Sequence, residues 1–327
     1  MGSPLYAGLA RRAASEYENN THLRDLLDAN ASLSRIGLRL LGAAHYRALA
    51  GQAPAIAAHF PSTGGDGDAE AAWDAVRDDV QAYAPVYGSL LRRPVQTNEV
   101  ARAMPVLGAM LTVAAETRMP MRMFEVGSSA GLLLHFDRYR YSGENWSWGD
   151  PDSALHLRNA QEAGAPAHLD ADVEIATRRG CDLHPLDLAK PSDADTLLSF
   201  LWPDQLERFE RMRSAIAIAA NEPPVAIDRA NGEEWIRRVA EPAPGFACVV
   251  FHTVMLEHLS PADRDTLTQR ITSMGSRATR SAPFAWVHME QAAERYETSV
   301  TLWPGGDQIA IATSDGHAQH VRWESAP

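Results

Sequence analysis

The chain has 327 residues, 45% of them hydrophobic, and a formal net charge of −12 at neutral pH, enough to bury one large core or two moderate ones. The acidic balance, with arginine supplying nearly all the positive charge, argues against a nucleic-acid ligand, because phosphate contacts need clustered cations. The sequence shows no apolar run of membrane-spanning length and no basic-then-apolar leader, and its two cysteines, Cys181 and Cys248, sit in apolar strand-like runs. We therefore expect buried thiols in a reducing cytoplasm, a small-molecule substrate and no membrane partner.

Residues 1–118 are rich in alanine, leucine and arginine and contain no convincing strand. Apolar spacing predicts helices over Pro4 to Glu18, Ala31 to Leu49 and Ala69 to Tyr83, with Gly64-Gly65-Asp66-Gly67-Asp68 as a flexible connection. Thr97 is placed as the cap of a helix covering Glu99 to Thr117, with Glu99 complementing the helix dipole. These segments predict an all-helical domain ending near residue 118. Gln96-Thr97-Asn98-Glu99, with Arg102 one turn on, reads as a cap network in preference to a group reaching into a cleft.

Met121 to Leu134 is the most informative stretch. Met121-Arg122-Met123-Phe124-Glu125-Val126 reads as a buried strand that ends on an acid. Gly127-Ser128-Ser129-Ala130-Gly131 is a sharp turn, and a new apolar run predicts a helix after it. The pattern Glu-x-Gly-x-Ser-x-Gly, formed by Glu125, Gly127, Ser129 and Gly131, resembles the first motif of S-adenosylmethionine (SAM)-dependent methyltransferases. A dinucleotide fingerprint would need glycines at 127, 129 and 132, of which only the first is present.

The methyltransferase resemblance implies a second strand ending on a ribose-binding acid, and Gly180-Cys181-Asp182-Leu183-His184-Pro185 places Asp182 there. A turn-capping role for Asp182 ahead of Pro185 is the competing reading. The long gap between the two motifs implies an insertion at about 138–170. Its aromatic residues Tyr139, Tyr141, Trp146 and Trp148 would form either a lid or a cluster pinning a loop. Two helices split at Trp202-Pro203 follow, then a strand over Pro224 to Ile227 ending at Asp228. The resemblance places Asp228 near the adenine, while a helix-capping aspartate is the alternative.

Phe246 to His252 reads as a central strand, Pro261 to Met274 as a helix, and Phe284 to Glu290 as a fifth strand. Ser299 to Trp303 and Gln308 to Thr313 read as a hairpin, and Gln319 to Trp323 as one more strand. Such alternation predicts an α/β fold of Rossmann-like, methyltransferase type over 119–327: a mostly parallel sheet with antiparallel strands at its end, beside the helical domain. Among twelve histidines none shows metal-ligand spacing, so no metal is expected. His252 and His288 are the candidate bases.

Several segments together resemble one family. They are Ser3-Pro4-Leu5-Tyr6, Gln96-Thr97-Asn98-Glu99, Phe124 to Leu132, Gly180 to Asp187, Leu201-Trp202-Pro203 and the strand around Phe251-His252. They resemble domain-of-unknown-function family 2332 over nearly the whole chain, and that resemblance carries no activity with it. From the motifs, the expected function is methyl transfer from SAM to a small molecule. Glu125, Gly127, Ser129, Gly131, Asp182 and Asp228 would form the cofactor site. A non-catalytic SAM- or nucleotide-binding module and an NAD(P)-dependent oxidoreductase stay open as alternatives.

Overall fold

Strand β1 (Met121–Val126) is buried at five of its six residues, as expected of a strand covered on both faces. In the computed structural model, which describes residues 2–159 and 164–324, it belongs to an eight-stranded sheet. The other strands are β2 (Ile175–Asp182), β3 (Ala226–Arg229), β4 (Ala247–Thr253), β5 (Phe284–Ala292), β6 (Arg295–Trp303), β7 (Asp307–Ser314) and β8 (Arg322–Trp323). Their order is β3-β2-β1-β4-β5-β6-β7-β8. The first five pair in parallel, and β6 to β8 close the sheet antiparallel. The chain thus steps outward from β1 to β3, then resumes on the other side of β1 with β4. Expected residues 160–163 of the insertion, with Met1 and 325–327, lie outside the described residues.

The connections follow the predicted alternation with one exception. Helices Pro191–Ser199 and Leu206–Asn221 lie between β2 and β3, Gly232–Val239 between β3 and β4, and Pro261–Gly275 between β4 and β5. The helix expected straight after the glycine turn is not formed. Leu132–Arg138 is a 3₁₀ stretch interrupted at His135, followed by a small sheet of Arg140–Ser142, Ser147–Trp148 and His156–Arg158. Two tyrosines downstream fold back on this stretch. The Tyr139 hydroxyl donates to the Leu132 carbonyl at 2.6 Å and that of Tyr141 to the Phe136 carbonyl at 2.7 Å. Tyr139 and Tyr141 are fully buried and Trp148 packs on Phe136 and Tyr141, so the insertion's aromatics pin a loop. The expected hairpin of Ser299 to Trp303 with Gln308 to Thr313 is the β6–β7 pair. But β6 starts earlier, at Arg295, and forms a second hairpin with β5 that pairs Ala292 with Arg295 around a turn with Ala293 at φ 53°.

Phe124, Val126, Cys248, Val250 and Phe284 point to one face of the sheet. They form a core cluster with Trp235, Ile236, Leu267, Ile271 and Met274, so helices Gly232–Val239 and Pro261–Gly275 cover that face. Helix Ala103–Thr117 packs against β5, β6 and β7. By length and composition Val100–Thr117 would suffice to cross a bilayer, contrary to the reading of the sequence, but 83% of it is buried inside the protein.

Two compact units divide the chain: Met1–Thr97 with Leu186–Arg213, and Asn98–Pro185 with Ser214–Pro327. The sequence placed the division at 118; the helix before that point belongs instead with the sheet, because its almost wholly buried surface packs on strands. Its start also differs. Glu99, not Thr97, caps a 3₁₀ turn over Val100–Arg102, its Oε1 accepting from the Ala101 amide at 3.2 Å, and the α-helix follows from Ala103.

The helical unit is built on Pro4–Glu16, Thr21–Asp28, Ile36–Leu49, Pro54–Ala57 and Ala69–Leu91, around a cluster that includes Leu9, Leu40, Ile56, Phe60, Trp73 and Tyr87. Ser3, Asn20 and Asp68 cap their helices through side-chain acceptors. The last helix continues past the expected end at Tyr83. It kinks there, at φ −129°, two residues ahead of Pro85. Pro191–Ser199 joins this unit through His45, whose Nδ1 lies 3.2 Å from the Ser199 carbonyl and 3.1 Å from that of Leu201.

Candidate functional site

The glycine turn lies at the carboxyl end of β1, where the strand order reverses between β1 and β4. In open parallel sheets that crevice is where ligands bind. Gly127 and Gly131 both take the left-handed backbone, at φ 73° and 74°, and Ser129 does so at 53°. Turn amides are largely committed inside the protein: those of Gly127 and Ser128 donate to the Cys181 carbonyl and that of Gly131 to the Ser128 carbonyl. The Ser129 amide donates to Asp182 Oδ2 at 2.9 Å.

Two side-chain atoms here stand without a partner. Glu125, 3% exposed, has no hydrogen bond to its Oε2, and Ser129, 6% exposed, none to its Oγ. Burial, and then the charge of Asp182, hold the Glu125 carboxyl well above the usual carboxylate range. Asn98 donates from Nδ2 to the Ser128 carbonyl at 3.2 Å, so one residue of the Gln96–Glu99 cluster does reach the turn.

The two downstream acids are engaged differently. Asp182 takes the Ser129 amide on Oδ2 and the His184 amide on Oδ1 at 2.8 Å, the Asx-turn arrangement combined with a tie to the glycine turn. Asp228 accepts from Trp235 Nε1 at 2.6 Å and from Arg179 at 2.7 Å. In register Asp228 stands opposite Cys181, while Glu125 stands opposite Gly180. Adjacent residues of a strand point to opposite faces, so Asp228 projects to the other side of the sheet from Glu125.

His252 and His288 do not join the turn either. His252 is fully buried and both its nitrogens are occupied. Indole N–H is only a donor, so Trp286 Nε1, 3.0 Å from His252 Nε2, fixes that nitrogen as the acceptor. Nδ1 therefore carries the proton and donates to Glu290 Oε1 at 2.7 Å. Glu290 Oε1 also accepts the Met255 amide at 3.0 Å, and both its oxygens take the Leu256 amide at 3.3 Å. Burial raises the Glu290 pKa, but the hydrogen bond from His252 and these amides outweigh it and hold the carboxyl below its ordinary value. His288 stacks on His252 and Trp286 with Nδ1 unpartnered. Burial and neighbouring His252 lower its pKa to about 4. It is a neutral ring among rings.

The sequence pairs His288 with Glu290 on one strand face; the closer partnership runs across strands, from Glu290 to His252. What that partnership holds went unread. Glu290 fixes the turn after β4, in which Val254 takes φ 52°, a genuine outlier for a β-branched residue. Its amide donates to the Met289 carbonyl at 2.7 Å. The turn lays Met255 on the glycine turn, so that a Cβ on Gly127 would stand 2.8 Å from Met255 Cγ. Arg102, buried, ties the same region together through the Gly316 carbonyl at 3.0 Å and that of Thr253 at 3.5 Å.

A cavity of about 750 Å³ opens at the amino ends of β1 and β2, lined by Met119, Pro120, Asp170, Asp172 and Glu174 among others. Its acids are solvent-exposed and no buried unpartnered atom lines it. The carboxyl end of β1, with two such atoms at a strand-order switch, is the better-built place for a ligand. Among the described residues no group of three or more His, Cys, Asp or Glu is arranged to hold a metal ion.

Neither a comparison with curated proteins nor one with solved structures gives a match. A family model described as "Uncharacterized protein conserved in bacteria (DUF2332)" matches residues 1–323, and the chain belongs to that family.

Proposed function

We propose that the sheet unit is a Rossmann-like, methyltransferase-type domain that binds SAM and transfers its methyl group to a small molecule. One observation carries the reading: a glycine turn, with the partnerless Glu125 and Ser129 atoms, stands at the strand-order switch of a parallel β3-β2-β1-β4-β5 array. Glu125, Gly127, Ser129 and Gly131 would hold the cofactor, and Asp182 would set the turn's shape through the Ser129 amide. Bound SAM supplies an electrophilic methyl group, and the protein's task is to position the acceptor in line with it. With His252 and His288 enclosed among aromatic rings, acceptors that need no base fit best. The buried free thiols Cys181 and Cys248 suit a cytoplasmic protein.

The oxidoreductase reading loses support from the same geometry. A pyrophosphate is normally held by free amides at a helix amino terminus, whereas here four of the five turn amides are bonded internally and a broken 3₁₀ stretch follows. A non-catalytic SAM-binding module is favoured by the enclosure of both histidines. Isothermal titration with SAM, S-adenosylhomocysteine, NADH and NADPH tests these readings. SAM and S-adenosylhomocysteine should bind and the dinucleotides should not. Binding of NADH alone would overturn the proposal, and SAM binding without turnover on any acceptor would leave the binding module.

A further inference from the structure

Glu125 presents a problem of charge. Its Oε2 is buried with no donor, and an ionised carboxylate so placed would forfeit its hydration without replacement. The groups around it do not help. From β2 come Asp182, a second acid on the same face, and Cys181, which is near but points to the other face of the sheet; from the segment after the glycine turn comes Tyr139, whose hydroxyl is spent on the Leu132 carbonyl. Cys181, pushed up by burial to about 12, and Tyr139, raised by burial and by Glu125, stay neutral in the working range. No cation faces Glu125 among these groups. The register places side-chain-free Gly180 opposite it, and Ser129 adds a second unpartnered polar atom along the same turn.

We propose that Glu125 is neutral in the free protein and ionises when a ligand's primary ammonium docks against Oε2, so that binding releases its proton. This rests on the SAM reading and extends it, because the α-ammonium of the cofactor is the cation the site would receive. The proton leaves the Glu125 carboxyl for solvent, and the carboxylate gains the charged donor it lacks. The site then selects an ammonium group from neutral adenosine derivatives and ties affinity to pH.

The test is calorimetric titration of the full chain in buffers of differing ionisation enthalpy, using S-adenosylmethionine, S-adenosylhomocysteine, L-methionine and 5′-methylthioadenosine, which lacks the ammonium. About one proton should be released per ammonium-bearing ligand and none with 5′-methylthioadenosine. Affinity for the ammonium ligands should rise about tenfold per pH unit while Glu125 remains protonated in the free protein. Glu125→Gln, isosteric with the neutral acid and so expected to fold, should lose both the release and the pH slope. In parallel, the infrared band of a protonated carboxyl should be present in the free wild type at neutral pH and absent from Glu125→Gln. SAM binding with no proton release, or release that persists in Glu125→Gln, would overturn the inference while leaving the SAM reading intact. Failure of all ammonium ligands to bind would overturn both, and absence of the infrared band would remove the inference alone.

Discussion

Glu125 and His252 stand on neighbouring strands but face opposite sides of the sheet. Glu125 is in register with Phe251, and His252 is the next residue along β4, pointing the other way. One step of register thus separates a polar group with nothing to bind from a polar group with all its bonds made. The first sits at a strand-order switch; the second anchors the turn that brings Met255 over Gly127.

If Glu290 is an anchor and not a base, its loss should register as stability. Glu290→Ala leaves the buried His252 Nδ1–H and two half-buried amides without an acceptor, and the expected loss is about 3 kcal/mol, measured by urea unfolding. The pH dependence follows from the depressed carboxyl. Because folding lowers its pKa below the ordinary 4.5, its contribution is complete above that value and is lost as pH falls through the lower folded value. Wild-type stability should therefore drop more steeply below pH 4.5 than that of Glu290→Gln. Equal slopes would assign the anchoring elsewhere.

Three histidines should make the protein acid-labile at milder pH. His45, His135 and His288 are each held at about 4 against an ordinary 6.5. In every case the main cause is burial, aided by Arg178 at His135 and by His252 at His288. Between those values the unfolded chain binds protons that the folded one refuses, so stability falls as pH drops from 6.5 to about 4, by up to about 3 kcal/mol per site. Replacing His288 by phenylalanine keeps a ring against Trp286 and removes the unpartnered nitrogen. Its melting temperature relative to wild type should rise as the pH is lowered from 7 to 5. A constant difference would contradict the assigned state of His288.

Much of this was legible in the sequence, for a definite reason. Phe246 to Phe251 is a continuous apolar run, and burial on both sides demands such a run whatever its partners. Gly127 and Gly131 announce a turn because few other residues take φ near 73° at little cost. What escaped depends on partners distant in the chain. Nothing near Leu132 says that the hydroxyls of Tyr139 and Tyr141 will bond to the carbonyls of Leu132 and Phe136. Asp228 looks like a strand-end ligand until register turns it toward Arg179 and Trp235. The division at 97/98 was also hidden, since helix Ala103–Thr117 is apolar on every side and its sequence cannot say whether strands or helices cover it.

In the helical unit the strongest polar commitment is Arg47 with Asp79. The Arg47 Nε and Nη2 donate to the two carboxylate oxygens at 2.6 and 3.0 Å, and the Tyr87 hydroxyl adds a bond at 2.7 Å. The side chains are only 5% and 11% exposed. Asp79→Ala would leave a buried guanidinium without its counter-ion, and a loss of about 3–5 kcal/mol is expected in chemical denaturation. Replacing both residues by apolar ones of similar volume should recover much of that loss. A single variant as stable as wild type would mean that solvent reaches Arg47.

The contact between Gly127 and Met255 can be tested by coupling. Gly127→Ala places a side chain at φ 73°, costing about 1 kcal/mol in backbone strain, and drives its Cβ to 2.8 Å from Met255 Cγ. Met255→Ala removes that obstacle at the cost of its own packing. In the double variant the strain remains but the collision does not, so the combined loss should fall short of the sum by about 1 kcal/mol. SAM affinity should follow a different course. Met255→Ala opens the crevice at the strand-order switch and should bind at least as tightly as wild type, whereas Gly127→Ala should bind more weakly with either residue at 255, because its side chain enters the turn itself. Additive stabilities would show that the β4 turn does not press on the glycine turn, and equal SAM affinity in all four proteins would place the ligand away from it.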